Sequence, residues 1–176
     1  PSNAQNAQAI AAEYTADALL WGSVRQGELL DSPSLQPQLL YVPNGSYGPN
    51  AWLDYAGRFT IPQHFALSNA PVNGKAVLPR LVLTLVRYGN GQGDRAYEEA
   101  GNLLAEQQAL NMPLLWMVRG NVEWAQARYD EAIATYQYGL ELVDDERTRG
   151  LLANNLGAIL LDAGNVVAAS QELAQA

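Results

Sequence analysis

The sequence holds no cysteine and a single histidine, His64, and among its ten basic residues only Lys75 is a lysine. Without cysteine there is no disulfide, no thiolate nucleophile and no cysteine-based zinc or iron–sulfur site. One histidine leaves no histidine-rich metal cluster and no histidine pair for proton relay. It stands in Pro62-Gln63-His64-Phe65, a proline-flanked aromatic stretch, and no nucleophile-elbow motif accompanies it. Neither a metal nor a cofactor is expected. The formal net charge of -8 leaves no Lys/Arg stripe able to displace counterions from a phosphate backbone. Nucleic acid and anionic membrane surfaces are therefore not expected partners. No apolar run approaches the roughly 20 residues that span a bilayer, so direct membrane insertion by this segment is not expected either. A cysteine-free chain suits the cytoplasm and, for a bacterial-type soluble segment, the periplasm or cell envelope, without choosing between them. The first residue is Pro1 rather than Met, as in a processed or cut chain.

What is present is apolar and periodic. Hydrophobic residues make up 48% of the chain against 16% charged, enough for one buried core at this length. Ile10, Tyr14, Ala18, Trp21 and Val24 recur at steps of three or four, which predicts an N-terminal amphipathic helix over residues 4–30, bent or divided at Gly22. Between Asp31 and Gly74 the texture changes. Pro33, Pro37, Pro43, Pro49, Pro62 and Pro71 exclude a long helix, while Leu39, Leu40, Tyr41, Trp52, Leu53, Tyr55, Phe59 and Phe65 are too apolar for a disordered linker. A long ordered Pro/Gly-rich loop, with a short helix over 50–58, is expected to wrap onto the rest. From Ala76 the pattern is helical to the end, broken at Gly89-Asn90-Gly91, Asn111-Met112-Pro113, near Arg128, at Asp144-Asp145 and at Gly164-Asn165. Segments of that length joined by short loops are antiparallel neighbours, so the fold class expected is all-α.

Overlaying the segments exposes a repeat. Tyr97-Glu98-Glu99-Ala100 matches Tyr129-Asp130-Glu131-Ala132, and Val166-Val167-Ala168-Ala169 takes the equivalent place, at intervals of 32 and then 37 residues. Trp116, Gly120, Tyr129, Ala132, Tyr136 and Leu140, within 113–146, resemble the tetratricopeptide repeat, and Leu156-Gly157, Leu160, Gly164, Ala169, Leu173 and Ala176, within 150–176, continue it as an incomplete repeat. Arg119 and Glu123 stand where the family prefers leucine and tyrosine, and Gly139 replaces a usual alanine. The pair at 78–112 is a divergent repeat with Tyr88 at the small position. A related helical repeat of the Sel1 type, with a period nearer 37, stays open as an alternative. The resemblance implies antiparallel hairpins stacked into a right-handed superhelix over 76–176, with residues 1–75, the helix and loop, packed upon it.

In this family the first helix of each repeat lines a concave binding face. Carried onto this chain, those positions are Leu114, Met117, Asn121, Trp124 and Ala125 in one repeat, then Leu151, Asn154, Asn155, Ala158, Leu161 and Asp162 in the next. Asparagines among apolar residues suit an extended peptide or a helix, since amides satisfy backbone groups while aromatics bury side chains. Asn121 and Asn155 coincide with asparagines of a known carboxylate clamp in the family, but its lysines are missing and Met117 stands in one such place. Without the cation most of the attraction for a carboxylate is lost. The function implied is noncatalytic binding of another protein or peptide, or scaffolding of a complex.

Two other functions remain open. One is an enzyme or enzyme subunit with a site in 31–74 around His64, Asp54 and Tyr55. The other is a self-assembling module, a homo-oligomer using the open C-terminal end with Val166, Val167, Ala169 and Leu173. The carboxylate pairs Glu98-Glu99 and Asp130-Glu131 are expected to open helices, and Asp144-Asp145 to sit in a turn, where negative charge favours a helix N-terminus. Gly89-Asn90-Gly91-Gln92-Gly93-Asp94 lacks the lysine and hydroxyl of a phosphate loop, and predicts a turn with Asp94 as N-cap.

Overall fold

The structure is a computed structural model that describes residues 4–16, 18–25, 34–41, 64–66, 77–106 and 112–174. Among them the order is α1 (Ala4–Glu13), β1 (Ala18–Arg25), β2 (Ser34–Tyr41), β3 (His64–Ala66), α2 (Val77–Gly89), α3 (Gly93–Ala105), α4 (Pro113–Ala125), α5 (Tyr129–Glu141), α6 (Glu146–Asp162) and α7 (Val166–Leu173). Helix predominates, and no described helix is long and apolar enough to cross a membrane.

The last six helices form three antiparallel hairpins closed by the same turn. Each turn has three residues, 90–92, 126–128 and 163–165. The middle residue is left-handed every time: Gly91 at φ 73°, Ala127 at 57° and Gly164 at 80°. The amide of the third residue, Gln92, Arg128 or Asn165, donates five residues back to the carbonyl of Arg87, Glu123 or Leu160 at 2.9, 2.9 and 2.8 Å. The middle amide donates to Tyr88, Trp124 or Leu161 at 3.1, 2.8 and 3.0 Å. These two bonds satisfy the helix-end carbonyls in a Schellman motif. The third residue's carbonyl then accepts the amide of Ala96, Ala132 or Ala169 at 3.0 Å in each case, and all three alanines are fully buried.

This turn fixes a register that differs from the sequence overlay. Ala96, Ala132 and Ala169 are equivalent, so the intervals are 36 and 37 residues, and Gly93-Asp94-Arg95-Ala96 stands opposite Tyr129-Asp130-Glu131-Ala132. The overlay on Tyr97–Ala100 is out by four residues, about one helical turn, which keeps the same helix face and hides the error. Three expectations change with it. Thr84, buried, occupies the small position of Gly120 and Gly157, so Tyr88 does not. Glu98 and Glu99 lie in the middle of α3, where Glu99 pairs with Arg80 at 2.6 Å instead of opening the helix. Asp94 is inside the first turn of α3, and Gln92 holds the N-cap position without a side-chain cap. Asp130 and Glu131 do fall in the first turn of α5, and Asp145 caps α6 by accepting the Thr148 amide at 2.9 Å. The Thr148 donors hold the Asp145 carboxyl below its ordinary value.

Ala127 alone lacks the glycine its turn position favours. A left-handed alanine is strained by roughly 1–2 kcal/mol. Ala127→Gly is therefore expected to raise the urea midpoint, with a gain of about 1 kcal/mol that falls short of the full strain because glycine has more unfolded-state freedom. An unchanged or lowered midpoint would show that the turn is relaxed.

The N-terminal part departs from the all-helical expectation. Residues 18–25 are strand, paired antiparallel with β2 (Ala18 opposite Tyr41, Arg25 opposite Ser34), and β2 pairs with β3 (Leu39 opposite Phe65). The helix ends instead at Glu13, followed by Thr15, left-handed at φ 48°, and the Ala16 amide returns to the Ala11 carbonyl at 2.9 Å. Strand alternation explains the layering. Leu39 enters the core shared by α2, α3 and α4, while its neighbour Leu40 joins Ala7 and Ala11 of α1 on the other face. The stretch 31–74, expected as a loop, thus contributes two strands. The helix expected over 50–58 lies outside the described residues.

Candidate functional site

Each helix from α2 to α7 packs mainly on its neighbours in sequence, and the first helices of consecutive hairpins, α2 with α4 and α4 with α6, touch lightly. The close approach of α4 to α5 depends on Gly120, because a Cβ there would sit 2.2 Å from Cε2 of Tyr136. Gly157 plays the same part against Leu173, where an added Cβ would meet Cγ at 2.6 Å. In these two hairpins the small residue on the first helix receives a large one from the second.

The nine residues proposed to line a binding face divide into two groups. Leu114, Met117 and Ala158 are buried in the apolar core. Asn121 and Asn155, 1% and 0% exposed, are buried as well, so the expectation that their amides meet a partner is corrected. Both are engaged by Tyr136: the Tyr136 hydroxyl donates to Oδ1 of Asn121 at 2.5 Å and accepts from Nδ2 of Asn155 at 2.8 Å. Nδ2 of Asn121 donates in turn to the Tyr88 hydroxyl at 3.1 Å. Burial of polar groups is tolerated because each meets a partner, and the buried Tyr136 hydroxyl is pushed far above its ordinary pKa by desolvation.

The second group remains accessible on α4 and α6. Trp124, Asn154 and Leu161 are half-buried and Asp162 is exposed. The structure brings two of them together: the Trp124 indole N–H donates to Oδ2 of Asp162 at 2.8 Å, joining consecutive hairpins. Leu151 is half-buried and Ala125 exposed on the same helices. No partner of this face is named by likeness. The chain matches no protein-family model, no curated protein and no solved structure.

Two polar clusters escaped the sequence reading. Arg119 and Glu123 form an i,i+4 pair at 3.4 Å, with Glu123 1% exposed and accepting the Thr135 hydroxyl at 2.6 Å. Arg119 also reaches the Tyr97 hydroxyl at 3.1 Å, and the guanidinium carbons of Arg119 and Arg128 lie 4.9 and 4.8 Å from the centre of the Tyr97 ring. Here an ion pair fills the two places where the sequence resemblance led to an expectation of leucine and tyrosine. The other cluster is the network of Tyr136. Its signal in the sequence was a tyrosine predicted as core, since a buried tyrosine needs a partner for its hydroxyl.

Of the residues considered for catalysis, His64 lies in β3 opposite Leu40, and Asp54 and Tyr55 lie outside the described residues. At the C-terminal end Val166, Val167 and Leu173 are exposed, but Ala169 is fully buried like Ala96 and Ala132 and belongs to no open face.

Proposed function

We propose that this chain is a noncatalytic protein-interaction module of tetratricopeptide type, which takes an extended peptide or a helix of another protein across α4 and α6. The observation that carries this reading is the Trp124–Asp162 contact, which ties two first helices together at the surface beside Asn154 and Leu161. A half-buried tryptophan whose indole N–H is held by a carboxylate is the residue type that most often anchors protein interfaces. Leu161, half-buried on α6, extends the apolar strip. Asp162 makes this end acidic, in keeping with the net charge of -8, and favours a neutral or basic partner.

The hairpin itself supports the tetratricopeptide likeness: α2, α3, α4 and α5 have 13 residues each. The intervals of 36 and 37 residues exceed that family's usual period of about 34; the first includes the stretch between Ala105 and Pro113, and the second a first helix, α6, of 17 residues. The longer interval is nearer to the Sel1-type period.

Peptides selected from a random display library on the immobilised chain test the proposal. Trp124→Ala is expected to weaken the selected peptides at least tenfold, as truncating an interface anchor does, and Leu161→Asp similarly. Tyr138→Ala, an exposed change on α5, is expected to leave affinity unchanged. Binding that survives both α4 and α6 variants, in proteins whose circular dichroism matches the parent, would place the interaction elsewhere.

A further inference from the structure

In a stack of hairpins each unit ordinarily touches its immediate neighbours, and stability is close to a sum of local terms. Here a polar connection crosses the whole stack. Nδ2 of Asn154, half-buried on α6, donates to Oδ1 of Asn155 at 3.3 Å. Asn155 donates to the Tyr136 hydroxyl on α5 at 2.8 Å, that hydroxyl donates to Asn121 on α4 at 2.5 Å, and Asn121 donates to the Tyr88 hydroxyl on α2 at 3.1 Å. Every bond points the same way, from the third hairpin to the first. Asn155, Tyr136, Asn121 and Tyr88 are 0%, 0%, 1% and 6% exposed. In a dry interior such a chain is strengthened by mutual polarisation, and a group left without its partner cannot turn to water.

We propose that this relay is a coupling device that makes the three hairpins open and close as one unit, with the Tyr136 hydroxyl as its centre. Apolar contacts between hairpins tolerate small slips, because dispersion is non-directional and spread over many atoms. The relay does not. A rotation of the third hairpin against the second breaks the Asn155–Tyr136 bond, and a rotation of the second against the first breaks the Asn121–Tyr88 bond. Tyr136 bonds α4 of its own hairpin on one side and α6 of the third on the other, and it reaches α2 of the first only through Asn121. Position also matters. Gly120 holds the Tyr136 ring against α4, so the hydroxyl cannot follow a departing α6 to keep its bond.

Native-state amide exchange, resolved by peptide, tests this on the whole chain. The slowest amides of α2, α4 and α6 are expected to share one opening rate in the parent. In Tyr136→Phe, which removes the hydroxyl and keeps the ring, α6 and α7 are expected to exchange at least tenfold faster than α2 and α3. Ile159→Val trims a fully buried side chain of α6 outside the relay, and is expected to speed all three hairpins by one common factor. Should Tyr136→Phe not fold, Tyr88→Phe removes the far acceptor, and is expected to release α2 and α3 selectively. A uniform acceleration in Tyr136→Phe, or in Tyr88→Phe where that variant is used, would overturn the proposal and leave the relay as ordinary buried hydrogen bonding. So would a parent whose hairpins already exchange at separate rates.

Discussion

Gly120→Ala destabilises the chain by about 3 kcal/mol, at the upper end for an overpacked core, and lowers the thermal midpoint by roughly 6–12 °C for a chain of this size. The new methyl would lie 2.2 and 2.4 Å from Cε2 and Cδ2 of Tyr136. That ring has no room to withdraw, being fully buried and bonded through its hydroxyl to Asn121 and Asn155. Either α4 and α5 separate or the hydroxyl leaves its partners, and both are costly. Two glycines calibrate the result. Gly157→Ala meets Leu173 at 2.6 Å, but that side chain is 40% exposed on the last described helix and can yield, so the loss is expected to be smaller. Gly101→Ala on α3 meets nothing within 4 Å and is expected to stabilise by about 0.5–1 kcal/mol through helix propensity. Thermal melts of the three variants should rank in that order; equal losses at positions 120 and 157 would show that the Tyr136 contact is not the determinant.

Arg119→Leu is expected to cost about 2 kcal/mol by itself and much less when combined with Glu123→Leu. The single change leaves a carboxylate that is 1% exposed with the Thr135 hydroxyl as its remaining close donor. Breaking a fully buried ion pair costs about 3–5 kcal/mol. The figure is reduced here because the Arg119 side chain is 27% exposed and its partner is 3.4 Å away, so solvent screens part of the attraction. Removing both charges eliminates the desolvation penalty, and leucine fills the space. Urea unfolding of the two single variants and the double gives the coupling directly. A coupling below about 0.5 kcal/mol, within the ordinary error of additivity, would mean that Glu123 is satisfied without Arg119.

These expectations rest on features that the sequence discloses unevenly. The breaks at 89–91, near Arg128 and at Gly164-Asn165 were legible because a helix end is a local event, decided by a left-handed residue and amides up to five positions away. The pairing of small with large residues in 113–176 was legible too, since Gly120, Tyr136, Gly157 and Leu173 keep their spacing along helices of known pitch. The register of the first hairpin was not. A four-residue slip preserves the helix face, so Tyr97–Ala100 mimicked Tyr129–Ala132 until the turn at Gly91 aligned Ala96 instead.

The strands were hidden for another reason. Ala18, Trp21 and Val24 continue the helical spacing of Ile10 and Tyr14, and nothing nearby favours a strand over a helix. Their partners are Tyr41, Gln38 and Leu35, 11 to 23 residues onward, and pairing at that separation leaves no local trace. The candidate face was legible in part. Trp124, Asn154, Leu161 and Asp162 are half-buried or exposed on α4 and α6, whereas Asn121 and Asn155, read as surface amides, are buried.

By itself, then, the sequence determined a helical-hairpin chain with sharp turns, no cysteine chemistry and an acidic balance, because those properties are written in composition and in neighbours within one helical turn. Tertiary structure alone decided the N-terminal sheet, the repeat register and which asparagines face solvent. A buried asparagine needs hydrogen-bond partners for its amide, and here Tyr136 reaches Asn121 from 15 residues away and Asn155 from 19. That meeting depends on how closely Gly120 lets two helices approach.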